Sequence, residues 1–292
     1  MATPIHPSLR AARILASRHV ARVAAALVAT AVAAGALAGC SNDDAAQRSD
    51  SAATAAALVV APPPGPYREV ALRATGRIRG RVLAEPVPGD VSGVTVAPGV
   101  AVAPAAAREA GPACEDAAAD GAPPGIDGGL PGAVVWLRDA RQGKPLPLER
   151  RYTLTNRRCR LEPRVQATIA GGTLNIRNLD PIEHRTRLVR QGSVDIVSVV
   201  RQYDEGQVVP DEQVLERPAL VHATCELHPW SEAWLAVFDH PYFAVTAPDG
   251  AFAIDSVPPG TYRLVVWHER GGTEEREVEV KAGESLVDVK LD

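Results

Sequence analysis

Closely spaced turn signals between short alternating segments constrain the fold of this 292-residue chain more than any other feature. Residues 77–82 alternate between arginine and small or apolar residues, and Gly171-Gly172, Pro248-Asp249-Gly250 and Pro258-Pro259-Gly260 separate later apolar segments. A period of two is typical of half-buried strands, and such Pro and Gly clusters end them. Further strands are predicted at 133–136, 165–169, 174–176, 196–200, 219–225, 233–238, 252–254, 262–267, 277–280 and 286–291. Without a convincing helical pattern after the N-terminal region, the sequence predicts an all-β sandwich or barrel protein.

The first forty residues have the pattern of an export signal. Four arginines between residues 10 and 22 precede an apolar stretch at 23–38, and no acidic residue occurs before Asp43. Leu37-Ala38-Gly39-Cys40 resembles the bacterial lipobox, whose cysteine becomes the lipidated first residue of the mature protein. The resemblance implies a lipoprotein signal peptide at 1–39 and a lipid anchor on Cys40. An ordinary signal peptide, or a membrane anchor with a chance cysteine, is the alternative.

The expected location is the cell envelope. Ser41 after the lipidated cysteine resembles sorting to the outer membrane, so we expect the anchored protein to face the periplasm. Apart from the N-terminus no apolar run is long enough to span a bilayer. The formal net charge of −4 argues against a nucleic-acid partner, which would require a basic patch.

Two low-complexity segments divide the remainder of the chain. Residues 40–66 are rich in Ala, Ser, Asp and Pro and are predicted to form a flexible tether. Residues 85–131 are rich in Ala, Pro and Gly and are predicted to form a long irregular loop.

The C-terminal segments at 245–252 and 257–262 resemble the carboxypeptidase regulatory-like (prealbumin-like) β-sandwich domain. Gly80-Arg81-Val82 and Ala133-Val134-Val135 match earlier strands of that family but lie far upstream. We therefore expect one sandwich that begins in residues 67–149 and is completed by residues 241–292, although two consecutive domains are the alternative. The sequence has no H-x-x-E or H-E-x-x-H spacing, so no peptidase activity is expected.

Residues 150–240 resemble a cupredoxin, the Greek-key sandwich of blue-copper proteins. The matching features are the Gly-turn and strand from Ala170 to Pro181, His184 at the place of the first copper histidine, and the C-x-x-H of Cys225 and His228. The fold expected for the whole chain is a cupredoxin-like Greek-key sandwich adjoining or inserted in the regulatory-like sandwich. Together the two resemblances match a group of exported bacterial plastocyanin-like proteins.

The resemblance implies a metal site made of His184, Cys225 and His228. A thiolate and two imidazoles select soft or borderline metals, and a His₂Cys set with a weak axial ligand is the electron-transfer geometry of copper. His222 is excluded because, in an extended strand, it points away from the face of Cys225. For Trp230 and Trp234, core packing is the first expectation, and shielding of the site from water is the second.

One departure from the family concerns the axial ligand. Ser231 stands where related copper loops have Met, and the only methionine of the chain is Met1. We expect any axial ligand to come from Glu226, Glu232, a glutamine, a backbone carbonyl or water. This donor set also admits Zn²⁺, which accepts one Cys and two His with an open fourth position.

The four cysteines can be divided among three roles. With Cys40 assigned to lipid and Cys225 to metal, Cys114 and Cys159 remain, and an exported compartment favours a disulfide between them. A Cys159–Cys225 disulfide is the competing possibility, and it would remove the thiolate from the site.

The predicted function is therefore that of an envelope lipoprotein whose cupredoxin-like domain binds copper for electron transfer or copper handling, with a redox protein as its expected partner and no known small-molecule substrate. A metal-free β-sandwich module that binds a protein or carbohydrate is the alternative. A zinc or copper enzyme is the third hypothesis. It ranks last because the sequence offers no convincing pair of general acid and base.

Overall fold

The computed structural model describes residues 66–84, 114, 125–193 and 196–291. The predicted signal peptide at 1–39, Cys40, all of the tether except residue 66, and most of the loop at 85–131 lie outside these residues. Within the described residues there is no α-helix, and the predicted all-β class is confirmed. Accordingly, this part of the chain offers no helix that is long and apolar enough to cross a membrane.

Nineteen strands make up the described structure. In chain order they are β1 (Arg68–Glu69), β2 (Gly76–Ala84), β3 (Val134–Leu137), β4 (Gln142–Gly143), β5 (Arg151–Arg157), β6 (Arg160–Glu162), β7 (Val165–Ile169), β8 (Thr173–Asn178), β9 (His184–Arg190), β10 (Ile196–Gln202), β11 (Val208–Asp211), β12 (Ala219–Cys225), β13 (Glu232–Phe238), β14 (Phe243–Val245), β15 (Ala251–Val257), β16 (Gly260–His268), β17 (Gly272–Val280), β18 (Gly283–Leu286) and β19 (Val289–Leu291).

Strands β5 to β13 form a two-sheet sandwich, which we call the inner sandwich (residues 151–238). One sheet has the order β10-β9-β12-β13-β7 and the other β11-β8-β5-β6. Alternate residues of both sheets, among them Leu154, Ile176, Leu188 and Leu235, share one buried apolar core. Burial of these alternating side chains is what holds the two sheets face to face.

Strands on both sides of the inner sandwich in the sequence pair with one another to form the outer sandwich (residues 76–84, 134–137 and 243–291). β2 lies between β15 and β18 and also pairs with β19, whereas the second sheet has the order β14-β3-β16-β17. Ile78, Val135, Phe252 and Leu264 belong to its shared core. The chain therefore leaves the outer sandwich after β3 and returns to it at β14.

The sheet that contains β3 and β16 is buried on both faces. Val135 and Leu137 of β3 face the core of the outer sandwich, whereas Val134 and Trp136 face a second apolar cluster shared with Leu220 and Phe238 of the inner sandwich. All four residues of β3 are buried as a result. This shared cluster joins the two sandwiches through side chains rather than through a continuous sheet.

The sequence pattern missed several strands, chiefly β5, β9 and β11. In β5 and β9 the inward positions include Asn156, His184 and Thr186, so the alternation of apolar residues is interrupted by buried polar side chains. These exceptions lie next to the candidate functional site.

The shared cluster generates a stability prediction. Phe238 is 1% exposed and its ring packs against Trp136 and Phe243, with centroids 5.6 and 4.7 Å away. We expect Phe238→Ala to lower the free energy of unfolding by about 3–5 kcal/mol, because it removes a buried ring and leaves a cavity. Urea unfolding followed by tryptophan fluorescence measures it. The control is Val199→Ala at a position that is 41% exposed. If Phe238→Ala lowered the free energy of unfolding no more than the control does, the described packing of Phe238 would be contradicted.

Candidate metal centre

The two strand ends that carry His184 and Cys225 lie at the same edge of the inner sandwich. His184 begins β9 and Cys225 ends β12, and these strands are antiparallel neighbours in which Cys225 lies opposite Thr186. Antiparallel pairing brings the start of one strand to the end of its neighbour. The sheet register therefore brings together two side chains that are 41 residues apart in the sequence.

His228 reaches the same place from the short loop between β12 and β13. Cys225 N donates to the Ser231 carbonyl (3.0 Å), Ser231 N donates to the His228 carbonyl (2.8 Å), and His228 N donates to the Cys225 carbonyl (3.3 Å). These backbone bonds close the loop tightly, so that the side chains of Cys225 and His228 point to one side of it.

The three side chains converge through their potential ligand atoms. Cys225 Sγ lies 3.3 Å from His228 Nδ1 and 3.7 Å from His184 Nδ1, and the three atoms lie within 4.8 Å of one another. The residues are 2%, 4% and 0% exposed, respectively. A buried sulfur flanked by two imidazole nitrogens is a donor set that suits copper or zinc, so the residues fit such an ion.

The carboxylate of Asp180 orients the first histidine. His184 Nε2 donates to Asp180 Oδ2 at 2.9 Å, which leaves Nδ1 directed at the thiol. The carboxylate also accepts the backbone N–H groups of Arg158 (2.6 Å) and Cys159 (2.8 Å). Carboxylate–histidine pairs of this kind fix the orientation of imidazole ligands in metal sites.

The turn between β5 and β6 supports the second histidine as well. Arg158 and Cys159 both have positive φ, 51° and 57°. Trp230 Nε1 donates to the Cys159 carbonyl at 3.0 Å, and the Trp230 ring lies 5.4 Å from that of His228. A disulfide bond joins Cys159 to Cys114. The Arg158-Cys159 turn, which is held by a disulfide bond, therefore contacts both the Asp180 carboxylate that bonds His184 and the Trp230 side chain that lies beside His228.

The buried charges of the site stabilise one another. Burial raises the pKa of the Cys225 thiol, but the hydrogen bonds from His184 and His228 outweigh it and lower the pKa to about 5. Burial lowers the pKa of His184, but the hydrogen bonds to Asp180 and Cys225 outweigh it and raise the pKa to about 8. In the metal-free protein the site therefore holds a thiolate and an imidazolium near neutral pH.

Two other histidines, His222 and His268, lie outside this cluster. His222 points to the other face of β12, where its ring stacks on Trp234 and bonds Glu232 at 3.0 Å. His268 is buried and accepts backbone N–H groups at the end of β16. Cys225 is free in the structure, so the competing Cys159–Cys225 disulfide is not formed.

Two supporting groups were not assigned a role from the sequence. Asp180 was part of the motif that resembles cupredoxins, and its position four residues before His184 was the available signal. The Arg158-Cys159 turn had none, because its contacts to Asp180 and Trp230 span 21 to 71 residues of sequence.

Comparisons with known proteins give partial likenesses. A family model described as polysaccharide lyase family 4, domain II matches residues 228–287. No curated protein matches the chain.

Among solved structures, a Cu-containing nitrite reductase from Thermus scotoductus SA-01 is 17% identical over 34% of this chain and 24% of its own, with a TM-score of 0.27. A purple cupredoxin from Nitrosopumilus maritimus is 15% identical over 30% of this chain and 99% of its own (TM-score 0.25). Auracyanin from Roseiflexus castenholzii is 10% identical over 32% and 99% (TM-score 0.27). This chain thus spans about a quarter of the nitrite reductase. These values establish no more than a partial likeness.

The contact between Asp180 and His184 generates a prediction for the metal-free protein. We expect Asp180→Asn to raise the Cys225 pKa above about 5, because His184 loses the carboxylate that keeps it protonated beside the thiolate. The ultraviolet absorbance of the thiolate, followed against pH, measures this shift. Asp139→Asn, at a surface carboxylate paired with Arg263, is the control.

The shifted pKa values of Cys225 and His184 also determine how the stability of the metal-free protein depends on pH. Folding lowers the Cys225 pKa from 9.0 to about 5 and raises the His184 pKa from 6.5 to about 8, so the thiolate–imidazolium pair stabilises the fold most between these values. This contribution is lost as the pH falls through about 5, where the thiolate is protonated, or rises through about 8, where the imidazolium is deprotonated. A thiol that titrates near 9 in the wild type would contradict the described electrostatics.

Proposed function

We propose that the inner sandwich binds one transition-metal ion, copper in the first place and zinc as the alternative, through His184, Cys225 and His228. The observation that carries this proposal is the convergence of one thiol sulfur and two Nδ1 atoms in a buried cluster, at 3.3 and 3.7 Å from the sulfur. Electron transfer or copper handling is the proposed role.

The chemistry of the surroundings supports a soft or borderline metal. The lowered pKa of Cys225 supplies the thiolate form, which is the form that binds metals. The carboxylate of Asp180, beside the site, is engaged by His184 and two backbone N–H groups. The donors that face one another are therefore sulfur and nitrogen, the combination that copper and zinc prefer over magnesium or calcium.

The position of His228 supports electron transfer through the loop. A bound copper ion would supply one-electron transfer between its two common oxidation states. His228 is 4% exposed, whereas the adjacent Leu227 is 40% exposed and presents an apolar side chain at the surface. We propose this loop as the place where a redox protein partner docks, with His228 as the route for the electron and His184 held still by Asp180.

Attachment to the cell envelope through a lipid on Cys40 is also proposed, with the protein in the outer membrane and facing the periplasm. The pattern at residues 37–40 supports it. The Cys114–Cys159 disulfide supports an oxidising compartment, because such bonds persist in exported proteins and are rare in the cytosol.

A second candidate is a metal-free binding module for a carbohydrate. The match of residues 228–287 to a polysaccharide lyase domain favours it. If this second function is correct, the metal-free protein binds a glycan, and a glycan array probed with metal-free protein would detect the binding.

Metal loading tests the first proposal. We expect the purified wild type, dialysed against Cu(II) or Zn(II), to retain one ion per chain, and Cys225→Ser and His184→Gln to lose it, because each removes a donor atom. With copper, an intense thiolate-to-copper absorption band that is lost in Cys225→Ser is expected. Bound metal per chain, visible absorption and EPR are the measurements.

His222→Gln is the matched control for His184→Gln. Both histidines lie on the same sheet and bond a carboxylate, but His222 faces away from Cys225. The control is expected to load like the wild type. The proposal would be contradicted if the wild type held neither ion in stoichiometric amount. It would also be contradicted if Cys225→Ser bound as much metal as the wild type.

A further inference from the structure

We propose that the fourth coordination position of this site is an oxygen-lined, exchangeable position at the Ser231 hydroxyl, which takes water or another small ligand with an oxygen or nitrogen donor. The inference rests on the proposed metal binding and deepens it. It assigns Ser231 a role in ligand binding and gives the site a chemistry beyond outer-sphere electron transfer.

The sheet register places Ser231 beside the thiolate. In the antiparallel pair of β12 and β13, Ala223 lies opposite Ala233 and Thr224 opposite Glu232. The bond from Cys225 N to the Ser231 carbonyl (3.0 Å) continues this register by one step. Residues directly opposite each other project from the same face, with Cβ atoms about 4.5–5.5 Å apart. The Ser231 hydroxyl therefore projects from the face that carries the Cys225 thiol.

The Ser231 hydroxyl has no hydrogen-bond partner among the described residues. The residue is 0% exposed, and Ser231 Oγ is a buried polar atom without a protein partner. Such an atom costs free energy unless a ligand or water satisfies it. Its location next to a buried thiolate makes a ligand shared with the metal the simplest partner.

A polar layer continues on the other side of Cys225. Thr186 lies directly opposite Cys225 on β9, and Asn156 Nδ2 donates to Thr186 Oγ1 (3.3 Å) and to Gln202 Oε1 (3.0 Å). Asn156 Oδ1 is a second buried oxygen without a protein partner in the described structure. Buried oxygen atoms thus lie on both sides of Cys225, at Thr186 on β9 and at Ser231 just before β13. Such an interior suits water better than a thioether.

The carboxylates expected from the sequence as axial donors are engaged elsewhere. Glu226 is exposed and pairs with Arg185 at 3.6 Å. Glu232 lies on the opposite face of β13, where its oxygens bond Arg164 (2.6 Å) and His222 (3.0 Å). Gln202 Oε1 already accepts from Asn156. Because a neutral serine hydroxyl is a weak ligand, the position stays open to exchange.

Ligand titration of the loaded protein tests this inference. Wild type, Ser231→Ala and Ser231→Met are loaded with Cu(II) and titrated with azide, and the visible and EPR spectra are recorded. We expect a saturable spectral change with azide in the wild type and an azide affinity that is lower by a factor of about 3–10 in Ser231→Ala, because the bound ligand loses its hydrogen bond to the buried hydroxyl. Ser231→Met is expected to lose the response, because a thioether fills the position.

Thr224→Ala is the matched control. Thr224 is the neighbour of Cys225 on the same strand but projects from its other face, so its azide titration should equal that of the wild type. The near-ultraviolet circular dichroism of each variant is compared with that of the wild type. If Ser231→Met does not fold, the titrations of wild type and Ser231→Ala still decide the question.

The outcomes separate the two proposals. A wild type that binds copper but does not respond to azide overturns the exchangeable position and leaves metal binding intact. An equal azide affinity in wild type and Ser231→Ala overturns the role of Ser231. A wild type that binds no metal overturns the proposed function, and this inference with it.

Discussion

The hydrogen bonds of the Asp180 carboxylate are the interaction on which the rest of the site depends. Its two oxygens accept from the backbone of Arg158 and Cys159 and from His184 Nε2, all within 2.6–2.9 Å. The same turn accepts Trp230 Nε1 and is joined to Cys114 by a disulfide bond. Because backbone N–H groups hold the Asp180 carboxylate in place, the carboxylate fixes the orientation of the His184 imidazole. The orientation of the Nδ1 atom toward Cys225 is therefore built into the turn and does not depend on a bound ion.

The inner and outer sandwiches contribute differently to the geometry of the site. The inner sandwich sets the positions of the strand ends, because Cys225 and His184 lie on neighbouring strands of fixed register. The outer sandwich then covers the far side of the same sheet, where its residues Trp136 and Trp267 pack with Phe238 of the inner sandwich. The residues of this apolar cluster contribute packing and no donor atoms. Specificity for a ligand thus belongs to the polar edge of the inner sandwich, where buried oxygen and sulfur replace the aliphatic residues found elsewhere in the core.

Sequence patterns predicted much of this structure, and the reasons for success and failure are physical. The spacing of Cys225 and His228 was informative because two residues only three positions apart in one short loop must lie close together. Strands with regular apolar alternation, such as β12 and β13, were predicted to within a residue. β5 and β9 were missed because polar residues occupy their inward positions, a choice that only the site explains. The contacts of Asp180 and the opposition of Ser231 to Cys225 depend on register, which a single sequence does not specify.

The central claim is that Cys225, His184 and His228 hold one ion together. X-ray absorption at the zinc edge of the zinc-loaded protein tests it most directly, because it reports the identity and distance of the donor atoms without relying on colour or activity. We expect one sulfur at about 2.3 Å from the zinc together with nitrogen or oxygen neighbours at about 2.0–2.1 Å, and a histidine scattering pattern. A first shell made only of nitrogen and oxygen, with no sulfur neighbour, would contradict it.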